Sequence, residues 1–131
     1  MMRRPKSIFL ALIVAFLLAA SAAGTAQEKV RQAGIAGAFY PANPDELSKM
    51  VDGFLAKAQV PSIKEPLIAL IAPHAGYPYS GGGAGHSYAL LKDRKFHRVV
   101  IIAPSHYEAF PFSAVYDGDA YVTPLGRIPV D

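Results

Sequence analysis

Two of the four histidines in this 131-residue chain stand in matching positions. His74 follows the apolar run Leu67 to Ala72 through Pro73, and His106 follows Val99 to Ala103 through Pro104 and Ser105. Ala-Pro therefore leads each run out to an imidazole. Neutral imidazoles converging on one point suit a divalent metal, with zinc, iron and copper all compatible. Such a pair needs a third donor, most often a carboxylate or another histidine. A single strand-end histidine is more simply explained by a bond to a backbone carbonyl. Two in matched positions favour a shared site. His86 falls within the connection between the runs and His97 at the amino end of the second run, and neither is assigned chemistry.

The elements that must position this pair follow from hydrophobic pattern. Leu67 to Ala72 and Val99 to Ala103 lack polar alternation, as expected of strands covered on both faces of a parallel sheet. Residues 73 to 98 join them, long enough for a crossover helix, which the pattern predicts over Gly83 to Leu91 with Ala84, Tyr88 and Leu91 facing the sheet. The expectation is a right-handed βαβ unit within an α/β fold. Ligands of open α/β sheets bind beyond the carboxyl ends of the strands, where both histidines would emerge. Adjacent strands lie about 4.8 Å apart, so both side chains could reach one point. Proline ends each ladder and holds its histidine near the strand.

Tyr77-Pro78-Tyr79-Ser80-Gly81-Gly82-Gly83 links His74 to the predicted helix. Its glycines could turn backbone N–H groups toward the crevice at a helix N-terminus, an arrangement that suits an anion. The spacing matches neither the P-loop nor the dinucleotide fingerprint, so no nucleotide is implied. Tyr77, Ser80 and Gly81, with Ser105 beside His106, are the candidate substrate-side residues. Ser105 is not read as a nucleophile, because no Gly-x-Ser-x-Gly elbow surrounds it. No catalytic residue is assigned.

Elsewhere the best-signalled helix begins at Asn43. Asn43 can cap it, Pro44 suits its first position, and Glu46 follows as in a capping box. Leu47, Met50, Val51, Phe54, Leu55 and Ala58 form one apolar stripe at helical period, and Val60-Pro61 ends it. Residues 27 to 42 read as irregular. Ser113 to Tyr116 and Ala120 to Thr123 read as short strands joined through Asp117-Gly118-Asp119, followed by a turn at Pro124-Leu125-Gly126 and an extended segment over Arg127 to Asp131.

Composition narrows the partners. The chain has 13 basic and 10 acidic residues and a net charge of +3, but Arg3, Arg4 and Lys6 account for that excess. Nothing in the remainder points to nucleic acid. Those three residues, the apolar run Ile8 to Ala20 and the small residues after it read as an export signal over residues 1 to 26. The run is shorter than the roughly 20 residues of a spanning helix, so a membrane is expected only through this segment if it stays uncleaved. The expected location is secreted or periplasmic. The chain has no cysteine, which leaves no disulfide for an oxidising compartment to add. Residues 27 to 131 would then form one domain.

Ala-Gly-Ala-Phe-Tyr-Pro (36 to 41), Ala-Pro-His-Ala-Gly-Tyr (72 to 77) with Tyr-Ser-Gly (79 to 81), Ala-Pro-Ser-His (103 to 106) and Thr-Pro-Leu-Gly (123 to 126) ending in Asp131 resemble the Memo family. Its prokaryotic members are also called AmmeMemoRadiSam system protein B. The resemblance covers residues 31 to 131. It departs at Ala103, where the family often has glycine, and at Pro78, an extra residue in the Gly-rich turn. It implies a fold similar to the class III extradiol, non-haem-iron dioxygenases, with His74 and His106 as two of the metal-site histidines. Iron is then the first expected metal, with copper or zinc as alternatives. The family's further site residues, an Asp, a His and a Cys, would lie beyond Asp131, so the chain reads as the N-terminal part of such a domain, with an exposed strand edge and marginal stability.

Three functions follow. The complete protein could be an iron-type oxidoreductase acting on an organic substrate. The same crevice could instead be a non-catalytic binding site for a peptide or anionic ligand, since fold does not establish reaction. Or the chain is a structural remnant of a truncated gene.

Overall fold

The computed structural model describes residues 27–131, so the export-signal reading of residues 1 to 26 lies outside the described residues. Two helices and a three-stranded sheet make up its regular structure. In chain order these are β1 (Val30–Arg31), α1 (Pro44–Lys57), α2 (Tyr77–Ala89), β2 (Ala120–Thr123) and β3 (Gly126–Pro129). The architecture is mixed α/β. No described helix is long and apolar enough to cross a membrane.

Helix α1 forms where its local signals place it. Asn43 is the N-cap, and its Oδ1 accepts from the N–H groups of Asp45 at 2.9 Å and Glu46 at 3.1 Å. These are two of the donors a helix start leaves unpaired. Asp45 and Glu46 also put negative charge at the positive end of the helix dipole, and Lys57 puts positive charge in the last turn. The apolar stripe buries Leu47, which is 3% exposed, and half-buries Met50, Val51 and Phe54 against α2.

Helix α2 departs from expectation. It begins at Tyr77 rather than near Gly83, so the Gly-rich segment predicted as a turn is its first half. Three consecutive glycines are poor helix formers, and packing supplies the reason. Gly81 and Gly85, one turn apart, are its buried residues. A Cβ on Gly81 would lie 2.3 Å from the Phe54 ring, and one on Gly85 would lie 2.9 Å from the Phe54 carbonyl oxygen. Only bare backbone lets α1 approach this closely. Pro78 sits in the first turn, where its missing N–H costs nothing. The helix turns its buried face to α1, whereas Tyr88, expected to face a sheet, is exposed.

The sheet also differs from the predicted one. Its order is β1-β2-β3. β1 pairs parallel with β2 (Val30 with Ala120), and β2 pairs antiparallel with β3 from Ala120 with Pro129 to Thr123 with Gly126. The residues read as irregular therefore contribute a strand. Ala120 to Thr123 is a strand as predicted, and Pro124 and Leu125 form its turn, with Gly126 at φ +135°. Ser113 to Tyr116 is not a strand, so the predicted hairpin through Asp117 is replaced by the one through Leu125. Ala120, fully buried, is the centre of this small sheet.

The predicted βαβ unit is not formed. Leu67 to Ala72 and Val99 to Ala103 adopt no strand, and Ile68, Ile71 and Val99 to Ile102 are strongly exposed. The sequence pattern identifies residues suited to burial on both faces, but a strand needs a ladder partner and two covering layers. Among the described residues neither is supplied. The first segment is tied down by side chains instead: Ser87 Oγ donates to the Ile71 carbonyl at 2.8 Å, and the Arg94 guanidinium donates to the Ile63 carbonyl at 2.8 Å.

Candidate functional site

His74 and His106 meet. Their Nε2 atoms are 3.2 Å apart, with ring centroids separated by 5.3 Å and planes inclined at 42°. Both histidines are exposed. Each is carried on a loop held by a neighbouring serine. Ser80 Oγ donates to the Ala75 carbonyl at 2.8 Å, fixing the bend between His74 and α2. Ser105 Oγ accepts from the Glu108 N–H at 3.1 Å, closing the turn around His106. Pro73 lies under α2, where a Cβ on Gly83 would come within 3.4 Å of its ring.

The spacing of the two nitrogens can be tested against metal geometry. With metal–nitrogen bonds of about 2.0–2.1 Å, atoms 3.2 Å apart subtend roughly 100° at the ion. That falls between the cis angle of an octahedron and the tetrahedral angle. The separation of the two nitrogens is within the range of two adjacent ligands on one ion. Without a metal, a contact this short requires one ring to donate N–H and the other to accept. Among the described residues no group of three or more His, Cys, Asp or Glu side chains could hold a metal.

The substrate-side candidates divide. Tyr77 is half-buried, its ring 5.4 Å from that of Tyr40 and 6.4 Å from that of Phe54. Burial, and then the nearby Tyr40 and Tyr88, push its hydroxyl above the ordinary tyrosine value, so it stays protonated. Gly81 is enclosed against Phe54 and has no open face. Ser80 and Ser105 spend their hydroxyls on the loop bonds described above. An anion cradle at the start of α2 is also not formed. The N–H of Tyr77 donates to the Phe39 carbonyl at 2.8 Å, and those of Tyr79 and Ser80 donate to Gly76.

The bond from Tyr77 to Phe39 exposes a role that sequence reading missed. Residues 36 to 41 underlie the entry to α2, through the Phe39 carbonyl and the Tyr40 ring. Gly37, at φ +85°, turns this loop, and its N–H donates to the Tyr40 carbonyl at 2.7 Å. The available signal was the Gly-Ala-Phe-Tyr-Pro motif itself, legible as a turn but not as a support for a distant histidine loop. His86, on α2, bonds through Nδ1 to the Gly82 carbonyl at 2.9 Å, a contact within its own helix.

The sequence motifs that carry these two histidines resemble the Memo family, and comparison bears out that resemblance. The family model described as Memo-like protein matches residues 31–131. The chain belongs to the Memo family. It is 43% identical over 101 residues to Protein MEMO1 of Xenopus laevis and 39% identical over 101 residues to Protein MEMO1 of Homo sapiens. In each case the match covers 77% of this chain and 33% of the relative. A MEMO1 family protein of Archaeoglobus fulgidus is 39% identical over 102 residues, covering 78% of this chain and 36% of that protein. The chain thus spans about a third of the length of the curated relatives it matches.

Proposed function

We propose that His74 and His106 hold adjacent positions on one divalent metal ion, iron first and copper or zinc as alternatives, in a Memo-like protein of the class III extradiol dioxygenase type. The observation that carries this is the 3.2 Å separation of their Nε2 atoms, which matches adjacent ligands of a single ion. A bound ion of this kind supplies Lewis-acid or redox chemistry toward an organic substrate. The chain's own contribution is positional. Pro73 and Pro104 release the two loops, Ser80 and Ser105 fix their bends, and the half-buried Tyr77 ring packs against Tyr40 and Phe54 at the start of α2.

The test is metal content, measured by elemental analysis on the purified 131-residue protein after incubation with ferrous, cupric or zinc ions. Binding lost in both His74→Ala and His106→Ala supports the site. Content unchanged by either substitution overturns it. An anion-binding module has less support, because the first N–H groups of α2 are already taken. The basic N-terminus, the apolar run Ile8 to Ala20 and the small residues that follow support export, to a secreted or periplasmic location. N-terminal sequencing of the protein recovered from each cell fraction tests that reading; Met1 retained on a cytoplasmic product would sink it.

A further inference from the structure

The approach to β1 is anchored from Glu28 onward. The Glu28 carboxylate pairs with Arg127 on β3. The Lys29 N–H donates to Asp119 Oδ2 at 2.7 Å. The Lys29 carbonyl accepts from the Asp119 N–H at 2.8 Å and from the Tyr116 hydroxyl at 3.1 Å. Gln27, one residue earlier, is exposed. Two small-residue patterns precede it in the sequence, Ala20-Ser21-Ala22 and Gly24-Thr25-Ala26. Either suits an export peptidase, which takes small side chains at the last and third-last positions before its cut. Spacing selects the second. Ala22 follows the apolar run Ile8 to Ala20 by two residues and Ala26 follows it by six, and the cut bond must clear that run to reach a peptidase at the membrane surface. A cut after Ala26 also spares every residue that anchors β1, and it makes Gln27 the first residue of the chain.

We propose that Gln27 of the exported chain is a modification site, where the new N-terminus closes on its own side chain to give pyroglutamate. The proposal rests on the export reading and is independent of the metal reading. In its uncharged form the freed α-amine attacks Cδ of the Gln27 carboxamide. A bond forms between the α-nitrogen and Cδ, closing a lactam ring, and the bond from Cδ to Nε2 breaks. The α-nitrogen gives up one proton to the departing group, which leaves as ammonia. No oxidant, reductant or second substrate is consumed. An α-amino group titrates near pH 8, so a fraction is uncharged and reactive at neutral pH. Exposure of Gln27 leaves the amine and the carboxamide free to meet. The product loses the terminal cation, so no ammonium beside Glu28 competes with Arg127 for its carboxylate. It also denies an aminopeptidase the free amine it requires, which preserves the Lys29 bonds that begin β1.

The test is to express the 131-residue precursor with its own N-terminus in an exporting bacterial host and weigh the freshly recovered exported chain by mass spectrometry. The mass expected is that of residues 27–131 less one ammonia, with the loss mapped by fragmentation to the first residue. Stepwise N-terminal degradation should yield at least tenfold less of the first residue than it does from the Gln27→Ala chain. Treatment with pyroglutamyl aminopeptidase should restore the yield, now beginning at Glu28. Gln27→Ala should be exported and cut at the same bond, and a general aminopeptidase should remove its first residue while leaving the parent intact. An exported chain that begins at Gln27 with its amine free overturns the proposal and leaves the export reading standing. So does an exported chain that begins at Ala23. A cytoplasmic product that keeps Met1 overturns both.

Discussion

The helical pair is interspersed with polar residues and glycine and the two runs are apolar throughout, yet the helices find cover and most large side chains of the runs do not. α1 and α2 bury Leu47, Gly81 and Gly85 against one another, while Ile71 and Ile102 stand in the open. A helix satisfies its backbone internally and needs a partner for one face only. A doubly covered strand needs neighbours on both edges and layers on both faces. The contrast shows that apolarity alone does not measure how much of a segment's environment its own chain supplies. A helix pair is nearly self-sufficient, and a buried strand never is.

Substitutions should separate the two regions, and urea unfolding followed by far-UV circular dichroism reads them all. Leu47→Ala, which empties the most buried position between the helices, is expected to cost about 2–3 kcal/mol. Gly85→Ala should cost about 1–2 kcal/mol despite alanine's better helix propensity, because the new methyl would meet the Phe54 carbonyl. Asn43→Ala removes both cap bonds to Asp45 and Glu46, for about 1 kcal/mol. Ile102→Lys, in the open region, should change stability by no more than about 0.5 kcal/mol. A loss as large as that of Leu47→Ala would erase the contrast between the regions.

The smallest effect belongs to the ion pair joining the sheet's entry to its return. A hydrogen bond and attraction from Lys29 hold the Asp117 carboxyl below its ordinary value of 3.8, and the same hydrogen bond raises the Lys29 ammonium above 10.5. The carboxylate's contribution is present above pH 3.8 and is lost as pH falls through its lowered folded value. The ammonium's contribution is present below 10.5 and is lost as pH rises through its raised folded value. Both groups are fully exposed, so salt should screen the effect. Asp117→Asn should shift the unfolding midpoint slightly at neutral pH in low salt and not at all in high salt. A shift that survives high salt would show that the pair is better shielded than its exposure implies.

Several features were legible without coordinates because their causes are local. The start of α1 follows from Asn43, Pro44 and an uninterrupted stripe, all within a few residues of the helix they specify. The β2–β3 turn follows from Pro124-Leu125-Gly126, where glycine takes a backbone angle that side chains disfavour. The pairing of the histidines was suggested by two matched Ala-Pro exits. Their 3.2 Å approach, and the serine bonds that fix it, depend on loops that spacing does not describe.

The remainder was decided by contacts between residues far apart in the chain. Tyr77 to Gly83 reads as a turn from its composition, and becomes helix because Phe54 packs where side chains would otherwise stand. β1 is a strand because it meets Ala120, with the Lys29 N–H bonding to the Asp119 carboxylate across 90 positions. Local sequence can specify caps, turns and which surfaces are apolar, since each acts over a few residues. Whether an apolar run becomes a strand, or a glycine run a helix, depends on what another segment brings to it, and that lies in the tertiary structure alone.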